Sequence, residues 1–468
     1  MGNDTTTLQQ TMFAEISEEQ IFKQAYAYSL DYLKDVFERH VFPKEDALNL
    51  LDNFREPMPK DGVSAAETIF TIHQYGNPNT VSQLGGRYFG YVNGGALPVT
   101  LAAKQLATFY DQNSAMKVMS PFAATLEEVV TEWLIELFNL PRNTVAGFIS
   151  GTATANLCGL AAARHRILTN LGWDLRKKGL NGAPRLRVVT GKEIHAAVLK
   201  ALSILGIGLN TIEWVPVDSQ GRIRIEDMPE IDSSTIIILQ AGNVNSGSFD
   251  DFDKVCDIAR GKDAWVHIDG AFGLWAKATT KLKDLAKGME KANSWSVDAH
   301  KTLNVPYDSG ITLCSDPEAL GSALTMLGAY ISSGNEREGL YFTPEMSRRA
   351  RIIELWAALK YLGKTGVENL VTGLNERALQ FSHEIAEIDG FHVLNEVFFN
   401  QVIVCGETDV ITEKVLAKVQ ESRECWAGSS IWKGRKVIRV SVCSWATTGK
   451  DITLSVQSFK KALHAVTM

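Results

Sequence analysis

AWVHIDG, residues 264–270, is a short apolar run that ends on an acidic residue, Asp269, followed by small residues. Four other runs share this apolar character: VAGFIS (145–150), RLRVVTG (185–191), TIIILQA (235–241) and ITLCS (311–315). Short and nearly continuous apolar runs are typical of strands that are buried on both faces. Helical patterns such as ATANLCGLAAARHRIL lie between them. This alternation predicts an α/β fold with a mostly parallel central sheet flanked by helices.

The regions on either side of this alternation have different patterns, and 468 residues exceed one ordinary core. Residues 1–80 predict an N-terminal helical segment, because one stretch places apolar residues at helical spacing. These residues are Phe22, Tyr26, Leu30, Leu33 and Phe37. Residues 81–345 are the predicted large domain. Residues 346–468 contain two long helical patterns and three strand-like runs, which predict a smaller α+β domain.

Composition excludes several classes of partner. The net charge of −7 is modest, and no block of lysine or arginine favours nucleic acid or an anionic membrane. No apolar run reaches the ~18 residues that a membrane-spanning helix needs. Six cysteines are spread singly, without a C-x-x-C pair, which favours reduced thiols in the cytoplasm. The start MGNDTT fits the loose myristoylation pattern, for which a chance match is the commoner explanation.

Polar residues that directly follow apolar runs are the candidates for chemistry, because ligands of parallel α/β sheets bind at the carboxyl ends of the strands. Thr152 and Ala153 begin a helix just after residues 145–150, and the free backbone N–H groups there can hold an anion. An ordinary helix cap explains the same residues. His195 begins a helix after residues 185–191 and is either a cap or a flat face for an aromatic ligand.

Two charged residues beside the apolar runs are also candidates for chemistry. Asp269 follows an apolar run, and a carboxylate there needs a partner, which a structural ion pair could supply. Lys301 lies in SVDAHKTLNVPYDSG, residues 296–310, just before the run at 311–315. A lysine on such a connection is either a solvated surface charge or a desolvated amine that acts as a nucleophile.

One cofactor, pyridoxal 5′-phosphate (PLP), uses all four features together. Its phosphate would bind at the helix start near Thr152, and its ring would stack on His195. Asp269 would pair with the protonated ring nitrogen, and Lys301 would bond covalently to the cofactor. We predict no metal site.

The combination of HIDGAFG, DAHK, GTATAN and EIH resembles the group II PLP-dependent amino-acid decarboxylases, which include the aromatic-amino-acid and glutamate decarboxylases. The resemblance extends from GRYFGY near residue 86 to IRVSVCSW near the end of the chain. It implies the aspartate aminotransferase fold, which is the PLP-dependent transferase fold type I. It also implies decarboxylation of an L-amino acid to the amine and CO₂ by a homodimer with its active site at the subunit interface.

The resemblance assigns a role to each matching residue. The cofactor-binding residues that it implies are Lys301 as the covalently bonded lysine, Asp269 at the ring nitrogen, His195 and Ala271 against the ring, Thr152, Ala153 and His300 near the phosphate, and Asn243 on a polar loop beside the cofactor. Lys301 and His195 are also implied in catalysis, with Tyr330 as a mobile-loop tyrosine that reaches in from the partner subunit and helps protonate the substrate carbon. Tyr91 and Asn93, in YVNGGALP, are candidates for the substrate pocket.

Asp298 departs from the pattern, since relatives often have asparagine at this position. An acid there would repel a phosphate group unless it points away. Several alternatives stay open. An aminotransferase would use an arginine such as Arg439 to hold the substrate carboxylate, and an aldehyde synthase or carbon–carbon lyase would use the same cofactor. A catalytically silent binding subunit is the alternative outside enzymes, although the presence of Asp269 together with Lys301 argues against it.

Overall fold

The structure is a computed structural model that describes residues 5–325 and 338–468. Its N-terminal segment has four helices: α1 (Thr5–Glu18), α2 (Gln20–Asp35), α3 (Glu45–Asn49) and α4 (Ala65–Thr71). The apolar stripe predicted from the sequence lies on α2 and just beyond it, but most of its members face outward. Phe22, Tyr26, Leu30 and Phe37 are all more than a third exposed, so this stripe does not pack into the core of its own chain.

The central region alternates helices and strands. Its elements are α5 (Pro98–Tyr110), α6 (Pro121–Phe138), β1 (Val145–Ile149), α7 (Thr152–Asn170), α8 (Leu175–Lys178), β2 (Arg187–Gly191), α9 (Ala196–Ile204), β3 (Ile212–Val215), β4 (Thr235–Gln240), α10 (Phe252–Arg260), β5 (Trp265–Asp269), β6 (Ser294–Asp298), β7 (Gly310–Cys314) and α11 (Pro317–Leu324). The seven strands form one sheet in the order β1-β7-β6-β5-β4-β2-β3. Five neighbouring strands are parallel, and β7 runs antiparallel to both of its neighbours. The predicted α/β fold is confirmed.

Two strands of this sheet are absent from the prediction. β6 alternates serine with Trp295 and Val297, so it lacks a continuous apolar run, yet every one of its residues is buried. Ser294 and Ser296 are tolerated there because their hydroxyls make hydrogen bonds inside the protein. β3 lies at the edge of the sheet, where Glu213 and Trp214 are not buried and the apolar signal is weak.

The C-terminal region forms a second, smaller sheet. Its elements are α12 (Ile352–Ala386), β8 (Phe391–Val393), β9 (Gln401–Gly406), α13 (Asp409–Ser422), β10 (Gly428–Trp432), β11 (Arg435–Ser441) and α14 (Gly449–Thr467). The four strands are antiparallel, in the order β10-β11-β9-β8. The two helical patterns predicted between residues 345 and 387 are confirmed, because α12 consists of two helices that meet at Gly363, whose φ of 58° and ψ of −174° are not helical. β10 is a further strand that was not predicted, because GSSIW contains only one strongly apolar pair.

Residues 86–97 join the two sheets. Phe89 belongs to the apolar core around the four-stranded sheet, and its backbone N–H donates to the carbonyl of Trp426 at 2.8 Å. Farther along, Leu97 donates to the carbonyl of Asn304 at 2.9 Å, beside the seven-stranded sheet. The glycine-rich stretch YVNGGALP therefore lies between the two cores, next to the turn that contains Lys301.

Candidate active site

Asp269 lies at the carboxyl end of β5 and is almost fully buried. Its Oδ2 accepts a hydrogen bond from Nδ2 of Asn156 at 3.2 Å, and its Oδ1 accepts one from the backbone N–H of Ala271 at 3.2 Å. Asn156 lies on α7, so the carboxylate is fixed by a helix on one side and by its own turn on the other. A buried carboxylate with defined donors is held in one orientation.

Lys301 follows the neighbouring strand, β6, and its ammonium group faces Asp298 at the end of that strand. The distance from Nζ to Asp298 Oδ2 is 3.0 Å, and the side chains of the two residues are 20% and 2% exposed. The same oxygen lies 3.5 Å from Nε2 of His300. Oδ1 of Asp298 is buried and has no hydrogen-bond partner among the described residues. The ion pair thus leaves half of the carboxylate unsatisfied.

The start of α7 faces this carboxylate. A Cβ placed on Gly151 would lie 3.5 Å from Asp298 Oδ1 and 3.2 Å from Cε1 of His300. The Asp298 carboxylate therefore points toward the helix start at which the sequence predicts the phosphate site. Its orientation does not remove the repulsion expected between this acid and a phosphate group. The first backbone N–H groups of a helix have no partner within the helix, and Oγ1 of Thr152 is buried without a hydrogen-bond partner in the part of the chain that the structure describes. These groups can receive an anion. Ala153, the next residue, is exposed.

His300 is buried between the turn and an aromatic ring. Its Nδ1 accepts a hydrogen bond from the N–H of Ser309 at 3.2 Å, and its ring centroid lies 4.5 Å from that of Tyr307. Burial lowers the pKa of His300, while the charge of Asp298 acts in the opposite direction. The Tyr307 hydroxyl donates to Oδ1 of Asn93 at 2.9 Å, and burial raises its pKa above the ordinary range of tyrosine. His300 is thus held as a neutral ring beside the lysine.

Asn304 fixes the turn that carries the lysine. Its Nδ2 donates to the carbonyls of Thr302 at 2.9 Å and of Cys443 at 3.0 Å. Its Oδ1 accepts from the N–H of Gly95 at 2.8 Å and from that of Trp445 at 2.9 Å. Asn304 has a φ of 57°, which asparagine tolerates better than most residues. Asn304 could not be recognised from the sequence, because a lone asparagine near a proline is an ordinary turn signal.

His195 caps α9, as one of its two interpretations predicted. Its Nδ1 accepts from the backbone N–H of Ala197 at 3.2 Å. Desolvation in the cleft lowers the pKa of His195, and the charge of Asp269 partly opposes this effect. A cap uses the edge of the imidazole ring and leaves its face available. The capping interpretation and the stacking interpretation are therefore compatible.

The candidate substrate residues lie on the loop between the two sheets. Tyr91 and Val92 have φ values of 53° and 60°, a strained conformation for residues other than glycine. Tyr91 is largely exposed, and its ring centroid lies 5.4 Å from that of Trp426. Gly94 has no room for a side chain, since a Cβ would lie 2.0 Å from the carbonyl oxygen of Lys301. The glycine allows the loop to pack directly on the lysine turn.

Asn243 and Tyr330 are the two residues for which the sequence-based roles are least supported. Asn243 is buried, and its Oδ1 accepts from the N–H groups of Asn245 and Ser246 at 2.9 and 3.1 Å. Its Nδ2 donates to the carbonyl of Glu193 at 3.2 Å, so the side chain stabilises the turn after β4. Its contact with the cofactor stays a prediction. Tyr330 lies outside the described residues.

The arginines separate into structural residues and one with a different environment. Arg348 pairs with buried Glu127 at 2.7 Å, and Arg349 and Arg351 both bind Asp308. These ion pairs give the three arginines structural roles. Arg439, on β11, makes no ion pair within the described part of the chain. Its Nη1 donates to the carbonyl of Val244 at 3.2 Å, and its buried Nε has no hydrogen-bond partner among the residues described, as is also true of Nε of Arg348 and Nη1 of Arg351. Desolvation lowers the pKa of Arg439. A desolvated guanidinium with spare donors is suited to bind an anion.

Within residues 5–325 and 338–468, no group of three or more His, Cys, Asp or Glu side chains is arranged to hold a metal ion. The helices in these ranges include none that combines the length and apolar character needed to cross a membrane.

Similarity to known proteins identifies the family of this chain. A family model described as the pyridoxal-dependent decarboxylase conserved domain matches residues 82–405. The aromatic-L-amino-acid decarboxylase of Bacillus atrophaeus is 26% identical over 361 residues, which cover 74% of this chain and 72% of that protein. The acidic amino acid decarboxylase GADL1 of Mus musculus is 25% identical over 330 residues, covering 68% of this chain and 59% of that protein. The crystal structure of Oryza sativa TDC with PLP and tryptamine has a TM-score of 0.85 at 18% identity, covering 100% of this chain and 99% of that chain.

The structural likeness shows the fold, which is PLP-dependent fold type I. The family match covers well over half of the chain, so the protein belongs to the pyridoxal-dependent decarboxylase family and is a PLP-dependent amino-acid decarboxylase, a carboxy-lyase. The residues present fit this cofactor. Thr152 supplies an unsatisfied hydroxyl at a helix start, Asp269 a fixed carboxylate, and Lys301 a partly buried amine at the carboxyl ends of neighbouring strands.

Proposed function

We propose that Lys301 binds PLP covalently, and that the surrounding residues direct the chemistry toward loss of CO₂ from an L-amino acid. The observation that carries the proposal is the position of Lys301, whose Nζ is largely buried beside Asp298. The strand before it lies next to the strand that ends at Asp269. When bound, PLP supplies an electron sink for the bond that breaks at the substrate α-carbon.

The side chains of this chain have distinct tasks in the proposal. Asp269 keeps a negative charge at the position of the ring nitrogen, which favours the protonated ring. His195 lies against the ring face, and Ala271 leaves room on the side of β5. Thr152 and the first N–H groups of α7 hold the phosphate, with His300 close by. These groups are fixed before the reaction begins, which is how a protein lowers a barrier through orientation and electrostatics.

The clearest test of these assignments uses the cofactor's visible absorbance. The wild-type protein with added PLP should show a visible band and release CO₂ from at least one amino acid. Lys301→Ala should lose the covalent adduct that borohydride reduction traps in the wild type. Retention of a trapped adduct in Lys301→Ala would show that another lysine carries the cofactor and would overturn the assignment.

Arg439 is the proposed ligand of a substrate carboxylate. Its Nε is desolvated without a hydrogen-bond partner in the described part of the chain, and its charge is close enough to His195 to influence the pKa of that residue. The carboxylate could be the one on the α-carbon or one on the side chain of an acidic substrate. Tyr91, whose ring contacts that of Trp426, is close enough to Arg439 to influence its pKa, so it adds aromatic surface beside the guanidinium.

A panel of aromatic and acidic amino acids distinguishes these two positions. If Arg439 binds the α-carboxylate, Arg439→Met should raise KM for all substrates by a similar factor. If it binds a side-chain carboxylate, the variant should lose only its acidic substrates. An unchanged KM throughout would remove Arg439 from the site.

Transamination is the second candidate, since an arginine on the small sheet suits that reaction too. Evolution of CO₂ with an amine product supports decarboxylation. A keto acid that forms only when an acceptor is added would support transamination.

We also propose that the protein acts as a homodimer. Helix α1 exposes Leu8, Met12, Phe13 and Ile16, and α2 has no buried residue, so these apolar faces need a covering surface. A second copy of the chain is the proposed partner, and Tyr330 of the partner subunit is proposed to deliver a proton to the substrate α-carbon.

Subunit complementation tests the dimer and the tyrosine together. Lys301→Ala and Tyr330→Phe homodimers should each be nearly inactive. After mixing and subunit exchange, mixed dimers should regain part of the wild-type activity, because one of their two sites contains an intact Lys301 and an intact Tyr330. Light scattering provides the mass independently. A monomeric mass, or no recovery after demonstrated exchange, would contradict the shared site.

Two further proposals concern location and domains. All six cysteines lie in the described part of the chain, and all are buried and free of disulfides, which supports a reducing compartment such as the cytoplasm. Cell fractionation tests this.

We propose domain limits near residues 80 and 345. The second limit is supported by the apolar core around the four-stranded sheet, which consists of Phe89 and residues from 374 to 463. Residues 350–371 pack instead into the core of the seven-stranded sheet and connect the two. Limited proteolysis that releases stable fragments at these limits would support the division.

A further inference from the structure

A continuous set of hydrogen bonds connects the interior of the sheet with the carboxylate of Asp269. Nε1 of Trp265 lies 3.0 Å from Oγ of Ser294, and the same hydroxyl lies 2.8 Å from Nδ1 of His267. Nε2 of His267 lies 2.9 Å from Oδ1 of Asn156. The amide nitrogen of Asn156 lies 3.2 Å from Oδ2 of Asp269. We call Trp265, Ser294, His267 and Asn156 the donor chain.

The carboxylate at the end of the chain determines the direction of the bonds. Asn156 turns its amide nitrogen toward Asp269, so its amide oxygen faces His267 and can only accept. The neutral His267 therefore carries its proton on Nε2, and its bare Nδ1 accepts the proton of the Ser294 hydroxyl, which in turn accepts from the indole N–H of Trp265. The amide oxygen of Asn156 also accepts from the hydroxyl of Ser296 at 2.6 Å. The amide nitrogen then donates to Asp269, so all donors point toward the carboxylate.

The surroundings keep this arrangement in one state. Ser294, His267 and Asn156 are fully buried. Burial lowers the pKa of His267 to about 3, which leaves the ring neutral near pH 7. Gly159 on α7 provides the space, because a Cβ there would lie 2.7 Å from both Cε1 and Nδ1 of His267. Glycine in a helix interior costs about 1 kcal/mol relative to alanine, so close approach of this ring explains its presence.

We propose that the donor chain fixes the orientation of the Asp269 carboxylate, with Asn156 and His267 as positioning residues. The inference rests on the proposed function, in which Asp269 is the partner of the cofactor ring nitrogen. In a purely structural role, these hydrogen bonds would only join α7 to the sheet, and their donors would not all need to point toward Asp269. The chain instead ends on the one carboxylate of β5, and donors in a low-dielectric interior strengthen one another.

Substitutions along the chain should change PLP binding and turnover more than KM. Asn156→Asp replaces the donor by an acceptor of the same shape, and Asn156→Ala removes it. We expect both to weaken PLP affinity and to lower kcat by about tenfold or more, the effect of losing a hydrogen bond to a charged group. His267→Phe and Ser294→Ala should have smaller effects in the same direction. Affinity is measured by titrating the cofactor-free protein with PLP and following its absorbance.

Thr190→Val is the matched control. It removes a buried hydrogen bond of 2.9 Å to the carbonyl of Ile238 in the same sheet, with no connection to Asp269. Its PLP affinity should equal that of the wild type. Melting of each cofactor-free variant checks that the fold is retained. If His267→Phe does not fold, Ser294→Ala and Asn156→Asp provide the same test without a change in ring packing.

A double-mutant cycle decides whether the donor chain acts through Asp269. In an Asp269→Asn background, His267→Phe should have almost no further effect on PLP affinity, because the carboxylate that it orients is gone. Additive effects would mean that His267 acts elsewhere and would overturn the inference while leaving the role of Asp269 intact. If Asp269→Asn alone leaves PLP affinity and turnover unchanged, the proposed role of Asp269 fails, and the inference fails with it.

Discussion

Two buried ion pairs in this protein are built in opposite ways. Arg348 and Glu127 are almost fully enclosed, and Arg348 donates at 2.7 Å to the glutamate and at 2.9 and 3.3 Å to the carbonyls of Ser114 and Phe148. Lys301 and Asp298 meet at 3.0 Å, but Lys301 is partly accessible, and one oxygen of Asp298 has no hydrogen-bond partner among the described residues.

The difference separates a structural pair from a reactive one. A planar guanidinium with several partners is locked in place, and removing it is costly. An ammonium group on a flexible stem with a single close carboxylate partner can leave that partner when a better one arrives. A buried ion pair thus stabilises the fold at Arg348, whereas at Lys301 it holds an amine that can still react.

The largest expected effect is on the reactive side. Lys301→Ala should lower CO₂ release by roughly 10³-fold or more, because the covalent attachment is lost. The cofactor-free protein should keep its fold, which circular dichroism measures. Substantial activity in this variant would erase the distinction between the two pairs.

The structural side is tested by Arg348→Met. Breaking a buried ion pair by removing one partner costs about 3–5 kcal/mol. Urea unfolding of the cofactor-free protein should show this loss in the free energy of unfolding. A variant as stable as the wild type would mean that the Arg348 pair contributes packing alone.

Acid tests the region behind Asp269, where burial holds His267 neutral with a pKa of about 3. Between about pH 6.5, the ordinary histidine pKa, and pH 3, the unfolded chain binds a proton that the folded chain does not. The contribution of His267 is complete above pH 6.5 and decreases as the pH falls. By pH 5 about 2 kcal/mol should be lost. Unfolding at pH 7.5 and 5 should show a smaller difference for His267→Gln than for wild type.

The smallest expected effect is that of Asp298→Asn. The amide keeps the shape, removes a negative charge that faces the start of α7, and weakens the hold on Lys301 in the cofactor-free state. Both changes favour PLP binding, so affinity should increase about threefold to tenfold, which corresponds to roughly 1 kcal/mol. Weaker binding in PLP titrations would show that Asp298 assists the cofactor instead of opposing it.

Most of the sheet could be predicted from the sequence because it depends on local patterns, and so could the residues proposed to bind the cofactor. Continuous apolar runs predicted five of the seven strands. Asp269 directly follows one of these runs, and Lys301 precedes another. β6 was hidden because its buried serines look polar, although they serve hydrogen bonds that only the folded structure creates. Asn156 and His267 were missed for the same reason. An asparagine inside a helix and a histidine inside a strand acquire meaning only when residues 111 positions apart are brought together.

The hydrogen bonds of Asn304 determine when, during protein synthesis, the turn that contains Lys301 can be fully supported. Its partners include Gly95, 209 residues earlier in the chain, and Trp445, 141 residues later. A nascent chain that has not yet been extended through Cys443 and Trp445 therefore lacks part of the support for its lysine. Products that stop before residue 443 would not be expected to withhold PLP from finished enzyme.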